Sequence, residues 1–342
     1  EHQSVNLGQG FPDDKGPEEV RAAAADYLLN GHNQYPPMMG IPELRQAVAE
    51  HAGRFQGLDI DWQAEVLVTS GATEALGDCL FGLIEPGDEV VLIEPLYDSY
   101  LPIVRRAGGV PKLVRLEPPT WRLPREESAA AFGPKTKLIL FNTPMNPCSK
   151  VFDREELEFI AGLCLEHDVY AICDEVYEHI IFDDRRHISL MTLPGMRDRT
   201  VRIGSAGKSF SLTGWKVGYI TAAPELMKAI ARTHQFMTFT TPPNLQWGAA
   251  TGLRLDDRYF STLAADMQRK RDHLAGALAE IGFEVLPSHG TYFVTTDFRP
   301  LGFNGTDEDF CRHITVEAGV TAVPVSAFYQ SEAAPRHFAR FC

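Results

Sequence analysis

Short apolar runs alternate with amphipathic stretches through the middle of the chain, and this alternation restricts the fold to one broad class. Residues 65–69 (EVLVT), 89–94 (EVVLIE), 137–142 (KLILFN), 170–174 (YAICD) and 201–205 (VRIGS) read as strands. Residues 73–83, 97–107 and 154–167 carry helical patterns between them. Buried strands joined through helices imply an α/β fold with a mostly parallel sheet covered on both faces. In such sheets ligands bind outside the carboxyl ends of the strands, so residues there are the first candidates for chemistry.

The last third changes character. A charged helical stretch over 254–281 is followed by strand patterns at 283–286 and 292–296, a helix at 307–318 and a strand at 320–323. This reads as a separate α+β unit beginning near the middle of the long helix. A chain of 342 residues exceeds what one hydrophobic core usually serves, which also points to two domains. The expected division is a large domain over 15–265 and a small one over 1–14 and 266–342.

Charge and cysteine usage exclude several function classes. The formal net charge of −14 repels phosphate backbones and argues against nucleic acid as a partner. No apolar run approaches the roughly 20 residues that span a bilayer, and the polar start Glu1–Gly10 lacks the pattern of a secretion signal. None of the six cysteines forms a C-x-x-C pair, and no Cys/His cluster has zinc spacing. Reduced thiols in a cytoplasmic protein, with no metal, are the expectation.

Four segments carry candidate chemistry. Gly204-Ser-Ala-Gly-Lys208-Ser-Phe admits three readings. A P-loop ends in Gly-Lys-Ser, but Arg202 stands where its first glycine belongs. Ser205-x-x-Lys208 fits the S-x-x-K of serine acyl-transfer enzymes, whose S-D-N and K-T-G partners are absent. The third reading is a Schiff-base lysine flanked by small residues, against the ordinary case of a solvated lysine. In Cys173-Asp174-Glu175-Val-Tyr177, Asp174 ends a strand and suits a pyridinium nitrogen or a helix N-cap. Asn142-Thr-Pro-Met-Asn146-Pro147 is a tight turn that also offers Asn146 to a ligand. Ser70-Gly71-Ala72-Thr73-Glu74 joins a strand to a helix, where free amides bind phosphate.

In order and spacing these segments resemble the class I aminotransferases of the pyridoxal-phosphate family, and within them the kynurenine, glutamine and methionine aminotransferases. The match includes Asn6-Leu-Gly-Gln-Gly10-Phe-Pro12-Asp13, Asn33-Gln-Tyr35-Pro, Gly40-x-Pro-x-Leu-Arg45 and Thr69-Ser-Gly-Ala-Thr-Glu-Ala-Leu76. It continues through Glu94-Pro-x-Tyr97-Asp-x-Tyr100, the three segments around Asn146, Asp174 and Lys208 as far as Gly218, Pro324-Val-Ser-Ala-Phe328 and Arg340-Phe-Cys342. The resemblance implies a seven-stranded, mostly parallel sheet in the large domain, and a homodimer with active sites at the subunit interface. It also implies that Lys208 binds the cofactor, with Asp174 on the ring nitrogen, Tyr177 and Asn146 on the phenolic oxygen and Tyr97 on the ring face. The Ala72 and Thr73 amides, Ser205 and Lys216 would take the phosphate, reached by Tyr35 from the other subunit. Arg340 would clamp the substrate carboxylate, helped by the Gly10 amide; its planar fork suits that role. Phe11, Tyr35, Tyr97 and Phe239 would wall the side-chain pocket.

Cys148-Ser149 stand where the family usually has Thr-Gly, and Lys216 where some relatives carry Arg. Relative to the family, residues are lacking before Glu1 and after Cys342, which would leave the small domain incomplete at both ends. The implied activity is transfer of an amino group from an aromatic, thioether or glutamine-type amino acid to a 2-oxo acid, with ping-pong kinetics. A β-lyase acting on cysteine S-conjugates shares Lys208, Asp174 and Arg340. A non-catalytic regulatory module would need a DNA-binding domain or basic surface, and a nicotinamide dehydrogenase would need a G-x-G-x-x-G after a strand; the sequence shows neither.

Overall fold

The strand residues alternate between two apolar layers. Leu138, Leu140, Ile172 and Ile203 face one cluster, while Ile139, Phe141, Ala171 and Cys173 face the other, as the two-residue period of a strand requires. Both faces of the sheet are therefore dry, and both are covered by helices. The structure is a computed structural model and describes residues 3–330 and 334–342. After a two-residue strand β1 (Val5–Asn6), the large sheet comprises β2 (Val66–Thr69), β3 (Glu89–Glu94), β4 (Val110–Arg115), β5 (Thr136–Asn142), β6 (Tyr170–Asp174), β7 (Thr200–Ser205) and β8 (Gly218–Thr221). Its order is β2-β8-β7-β6-β5-β3-β4, all parallel except β8, which runs antiparallel to β2 and β7. The seven-stranded, mostly parallel sheet expected from the resemblance is present.

The parallel register aligns the strand ends that matter. Asn142 at the end of β5 pairs with Asp174 at the end of β6, and Asp174 with Ile203 in β7. The loops after β2, β5, β6 and β7 thus open on the same edge.

A second sheet forms from β9 (Glu284–Val285), β10 (Val294–Asp297), β12 (Val323–Pro324) and β13 (Phe338–Phe341), in the antiparallel order β12-β13-β10-β9. β11 (Val320–Thr321) pairs in parallel with β1. Phe298, Phe310, Ala339 and Phe341 form its core.

Several expected boundaries move. The helix expected over 97–107 is only Tyr100–Arg106, because the Leu96 amide bonds the Phe328 carbonyl and Tyr97 stays in a loop. The long helix starts at Asp257, where Asp256 accepts the Arg258 amide as N-cap. The strand patterns at 283–286 and 292–296 shorten to β9 and shift to β10, and that at 320–323 is split into β11 and β12 around Ala322. β4, β8 and β13 were not foreseen. Asp174 caps no helix: its Oδ1 accepts the Val176 amide and turns follow. All six cysteines are unpaired, and no helix among the described residues is long and apolar enough to cross a membrane.

Candidate active site

Asp174 forms the floor of a cavity at the carboxyl edge of the large sheet. Tyr100 donates its hydroxyl to Asp174 Oδ2 at 2.6 Å, and Asn142 Nδ2 donates to the Asp174 carbonyl at 2.7 Å. Burial pushes the Asp174 carboxyl up to about 6, against the Tyr100 hydrogen bond, the Val176 amide and the Lys208 charge. Asn142 also accepts the Asn146 amide at 2.7 Å, so one side chain ties both strand-end loops together. The Asn142–Pro147 turn foreseen in the sequence is thereby held against β6.

Lys208 sits on the short helix Ala206–Ser209 directly after β7, facing the same cavity. Its ammonium donates to the Gly10 carbonyl at 3.3 Å and to the Tyr292 hydroxyl at 3.2 Å. Tyr292 in turn donates to the Gly10 carbonyl at 2.6 Å and accepts from Tyr177. Burial lowers the Lys208 pKa, while Asp174 pulls it up. The P-loop reading fails on geometry as well as spacing, since β7 runs to Ser205 and the helix starts at Ala206, leaving no loop between them to wrap a phosphate.

The opposite end of the cavity is built for an anion. Gly71, at φ +86°, turns the chain into the helix Ala72–Leu83, whose first-turn amides have no helical acceptors. Lys216, Ser205 and Tyr97 line the same cavity, and Tyr97 hydrogen-bonds Thr73. A Cβ on Gly71 would come within 3.1 Å of the Lys216 ammonium; one on Gly218 would meet the Gly71 carbonyl carbon at 2.6 Å and the Ala72 amide at 2.8 Å. Gly218→Ala is therefore expected to push this loop off β8, destabilising the fold by about 1–3 kcal/mol and weakening anion binding. Equilibrium unfolding together with phosphate titration checks both.

Arg340, on β13, brings the second sheet to the site. Its Nη1 donates to Asn146 Oδ1 at 2.7 Å and its Nη2 to the Gly8 carbonyl at 3.3 Å. The guanidinium lies over the rings of Phe293 at 4.1 Å and Phe328 at 4.9 Å. Its Nε is buried without an acceptor among the described residues.

Other expected residues lie elsewhere. Gly10 presents its carbonyl to the site, where Lys208 and Tyr292 both donate to it. Phe11, 46% exposed, lines an adjoining cavity with Tyr292 and Cys342. Phe239 does not wall the Lys208 cavity of this chain. It packs edge-on against Tyr35, itself 84% exposed, at 5.7 Å. Sequence reasoning gave no role to Tyr100, Asn142 or Tyr292. The first two sit inside quoted motifs; Tyr292 left no signal beyond an aromatic in a strand-like run.

A doubly covered parallel sheet, with a lysine, a buried aspartate and an anion-ready helix start at its carboxyl edge and an arginine delivered by a second sheet, is the architecture of an aminotransferase. The chain belongs to that family: the model described as "Aminotransferase class I and II" matches residues 2–342. It is 42% identical over 327 residues to a protein named probable N-succinyldiaminopimelate aminotransferase of Mycobacterium tuberculosis, spanning 95% of this chain and 82% of that one. It is 38% identical to kynurenine–oxoglutarate transaminase 1 of Homo sapiens, spanning 100% of this chain and 89% of that one. A crystal structure from Escherichia coli, reported with a methionine aminotransferase function, superposes with a TM-score of 0.97 at 38% identity, covering 100% of this chain and 89% of that one. The chain is an enzyme with transaminase activity, acting on amino acid and 2-oxo acid substrates, and its family is generally pyridoxal-phosphate dependent.

Proposed function

We propose that this enzyme holds pyridoxal phosphate at Lys208 and moves the amino group of an aromatic, thioether or other neutral L-amino acid to a 2-oxo acid by a ping-pong sequence. The observation that carries this reading is the convergence on one site of Lys208 from the helix after β7, Asp174 from the end of β6 and, through Asn146, Arg340 from β13.

The residues fit the cofactor. The close approach that Gly218 permits keeps the Ala72 and Thr73 amides at the cavity, with Ser205 and Lys216 beside them for a phosphate. Asp174 at the far end suits a protonated ring nitrogen, Asn146 and Tyr177 the phenolic oxygen, and Tyr97 a ring face. Tyr35 is assigned to the phosphate of the partner subunit. Its exposure, with Phe236 at 89% and Met237 at 53%, supports a homodimer joined on this side. The division into a large domain over 15–265 and a small one over 1–14 and 266–342 belongs to the same reading.

When bound, pyridoxal phosphate supplies an electron sink for the charge that develops at the substrate Cα. The chain's residues do the rest. Arg340 pairs with the substrate carboxylate, using the donor capacity that Asn146 and Gly8 leave unfilled. Lys208, with its pKa lowered by burial, takes the Cα proton as general base and returns it. Tyr292 and the Gly10 carbonyl hold the amine in place between these steps. Burial brings the Asp174 carboxyl to about 6; a cationic ring nitrogen beside it would hold it lower, so activity is expected to decline only at pH below about 6, where Asp174 gains a proton and loses its grip on the ring, as a pH profile of turnover would show.

Tyr97 in the Lys208 cavity, with Phe11 and Tyr292 in the adjoining one, supports a donor without a second carboxylate. Purified protein with pyridoxal phosphate, given amino acids one at a time, is expected to lose its visible absorbance band with methionine, kynurenine, phenylalanine or glutamine. A strong preference for aspartate would sink the assignment; pyruvate and ammonia released without an acceptor would mark a β-lyase instead. Arg340→Ala is expected to raise KM for the donor on the order of 10²-fold, since a charge-assisted bidentate pair is lost. Steady-state kinetics across donor concentrations tests this.

A further inference from the structure

A cluster of charged groups lies behind the anion-binding loop, apart from the residues assigned above. His234, on the helix Pro224–Met237, is fully buried. Its Nδ1 lies 3.0 Å from Glu74 Oε1 and 3.1 Å from Asp78 Oδ2, and its Nε2 lies 3.2 Å from the Met38 carbonyl. Carbonyls and carboxylates accept hydrogen bonds. With acceptors at both nitrogens, the ring carries two protons and a positive charge. A ring nitrogen that holds a proton has no lone pair for a metal, so the three side chains are a charge clamp rather than a ligand set.

The clamp reaches the loop through Glu74. The Ser70 amide donates to Glu74 Oε2, and Ser70 Oγ lies 2.8 Å from Thr241 Oγ1. Ser70 opens the turn that runs through Gly71 to the Ala72 and Thr73 amides. Glu74 is also a negative charge in the first helical turn, where it would repel a phosphate dianion.

We propose that His234 is a cationic positioning residue for the phosphate-binding loop, offsetting one of the two negative charges of Glu74 and Asp78 and tying the loop to the Met38 turn that follows Tyr35. The proposal rests on the cavity being a pyridoxal-phosphate site. Burial opposes charge on His234, yet its hydrogen bonds to Asp78 and Glu74 push its pKa up to about 9. Burial would raise Glu74, but hydrogen bonds from His234, Thr238 and the Ser70 amide hold it below the usual range. Burial raises Asp78 to about 6 despite the His234 hydrogen bond. The Met38 turn presents a carbonyl only, and Cys79 beside Asp78 has its thiol pushed up by burial. Because its folded-state pKa is raised, His234 keeps its charge at neutral pH and loses it as pH rises through about 9, and the effect on the loop goes with it; its contribution to stability is complete below the unfolded value of about 6.5 and is lost over the same rise.

The test compares pyridoxal phosphate with pyridoxal, which lacks only the phosphate, by absorbance titration of the apoprotein. Lys208 acts on both aldehydes alike, so the ratio of their affinities isolates the phosphate end. His234→Gln is expected to reduce that ratio about tenfold or more, with Glu74→Gln added to it restoring most of the loss. In the wild type the ratio falls as pH rises through about 9; in His234→Gln this step is absent. Equal weakening toward both aldehydes would reduce His234 to a packing role and overturn the proposal. Should His234→Gln not fold, Glu74→Gln alone is expected to move the step to lower pH, and a step that stays in place overturns the proposal. A wild-type protein that binds neither aldehyde defeats the cofactor reading itself.

Discussion

Lys208→Ala is expected to lower the rate of transamination by on the order of 10⁴-fold or more, leaving the fold intact. The amine is assigned two tasks, holding the cofactor and carrying the Cα proton. General base catalysis alone is worth roughly 10²–10⁴-fold, and the lost covalent attachment adds to it. The variant is expected to fold because, among the described residues, the Lys208 ammonium hydrogen-bonds Gly10 and Tyr292 alone, and those two remain bonded to each other. Single-turnover kinetics with a bleachable donor, beside a thermal melt, separates these claims. A variant retaining wild-type turnover would show that another group moves the proton.

Arg202→Leu carries the largest expected effect on stability. Arg202 is 1% exposed and sits under the segment that follows Asp174. Its Nε donates to Glu175 Oε2 at 2.6 Å and its Nη2 pairs with Glu178. His187 and Ser189 complete the shell of Glu175. Burial would raise the Glu178 carboxyl, but Arg202 and three neighbouring histidines hold it well below its usual range. Removing the arginine leaves two buried carboxylates without their cation, which costs roughly 3–5 kcal/mol. The sign with pH follows. In the wild type, depressed carboxylate pKa values contribute stability above about pH 4.5, lost as pH falls through the folded values. In the variant those pKa values rise, so the deficit is expected to grow from pH 5 to pH 7. Urea unfolding at the two pH values checks this, and a deficit independent of pH would contradict it. Since Glu175 and Glu178 bracket Tyr177, a second expected readout is weaker cofactor binding.

Lys208, Asp174 and Asn146 were legible as candidates because each ends or directly follows a buried strand, and strand ends are visible in the local apolar pattern. The Ala72–Thr73 helix start was legible for the same reason. β4 escaped because it is an edge strand whose first four residues, Val110–Pro111–Lys112–Leu113, are only half-buried or exposed. β8 escaped because four residues beginning with a glycine carry too little pattern to separate from a turn.

Other features left no local trace. The Gly8 and Gly10 carbonyls that receive Arg340, Lys208 and Tyr292 are backbone groups, and any residue type supplies those. His234 meets Glu74, Asp78 and Met38 across long stretches of chain, and His51 meets the adjacent Glu178 and His179 from a helix more than 120 residues earlier in the chain. The doubly covered, mostly parallel sheet is written in the local pattern of the chain, as are the lysine, aspartate and asparagine at its functional edge, because strand periodicity and turn chemistry act over a few residues. The resting of Lys208 on Tyr292 and Gly10, the hold of Tyr100 on Asp174 and the delivery of Arg340 to Asn146 by β13 arise from long-range packing. Those contacts depend on how two sheets and an N-terminal segment pack, and packing is set by the shape of the whole chain rather than by any stretch of it.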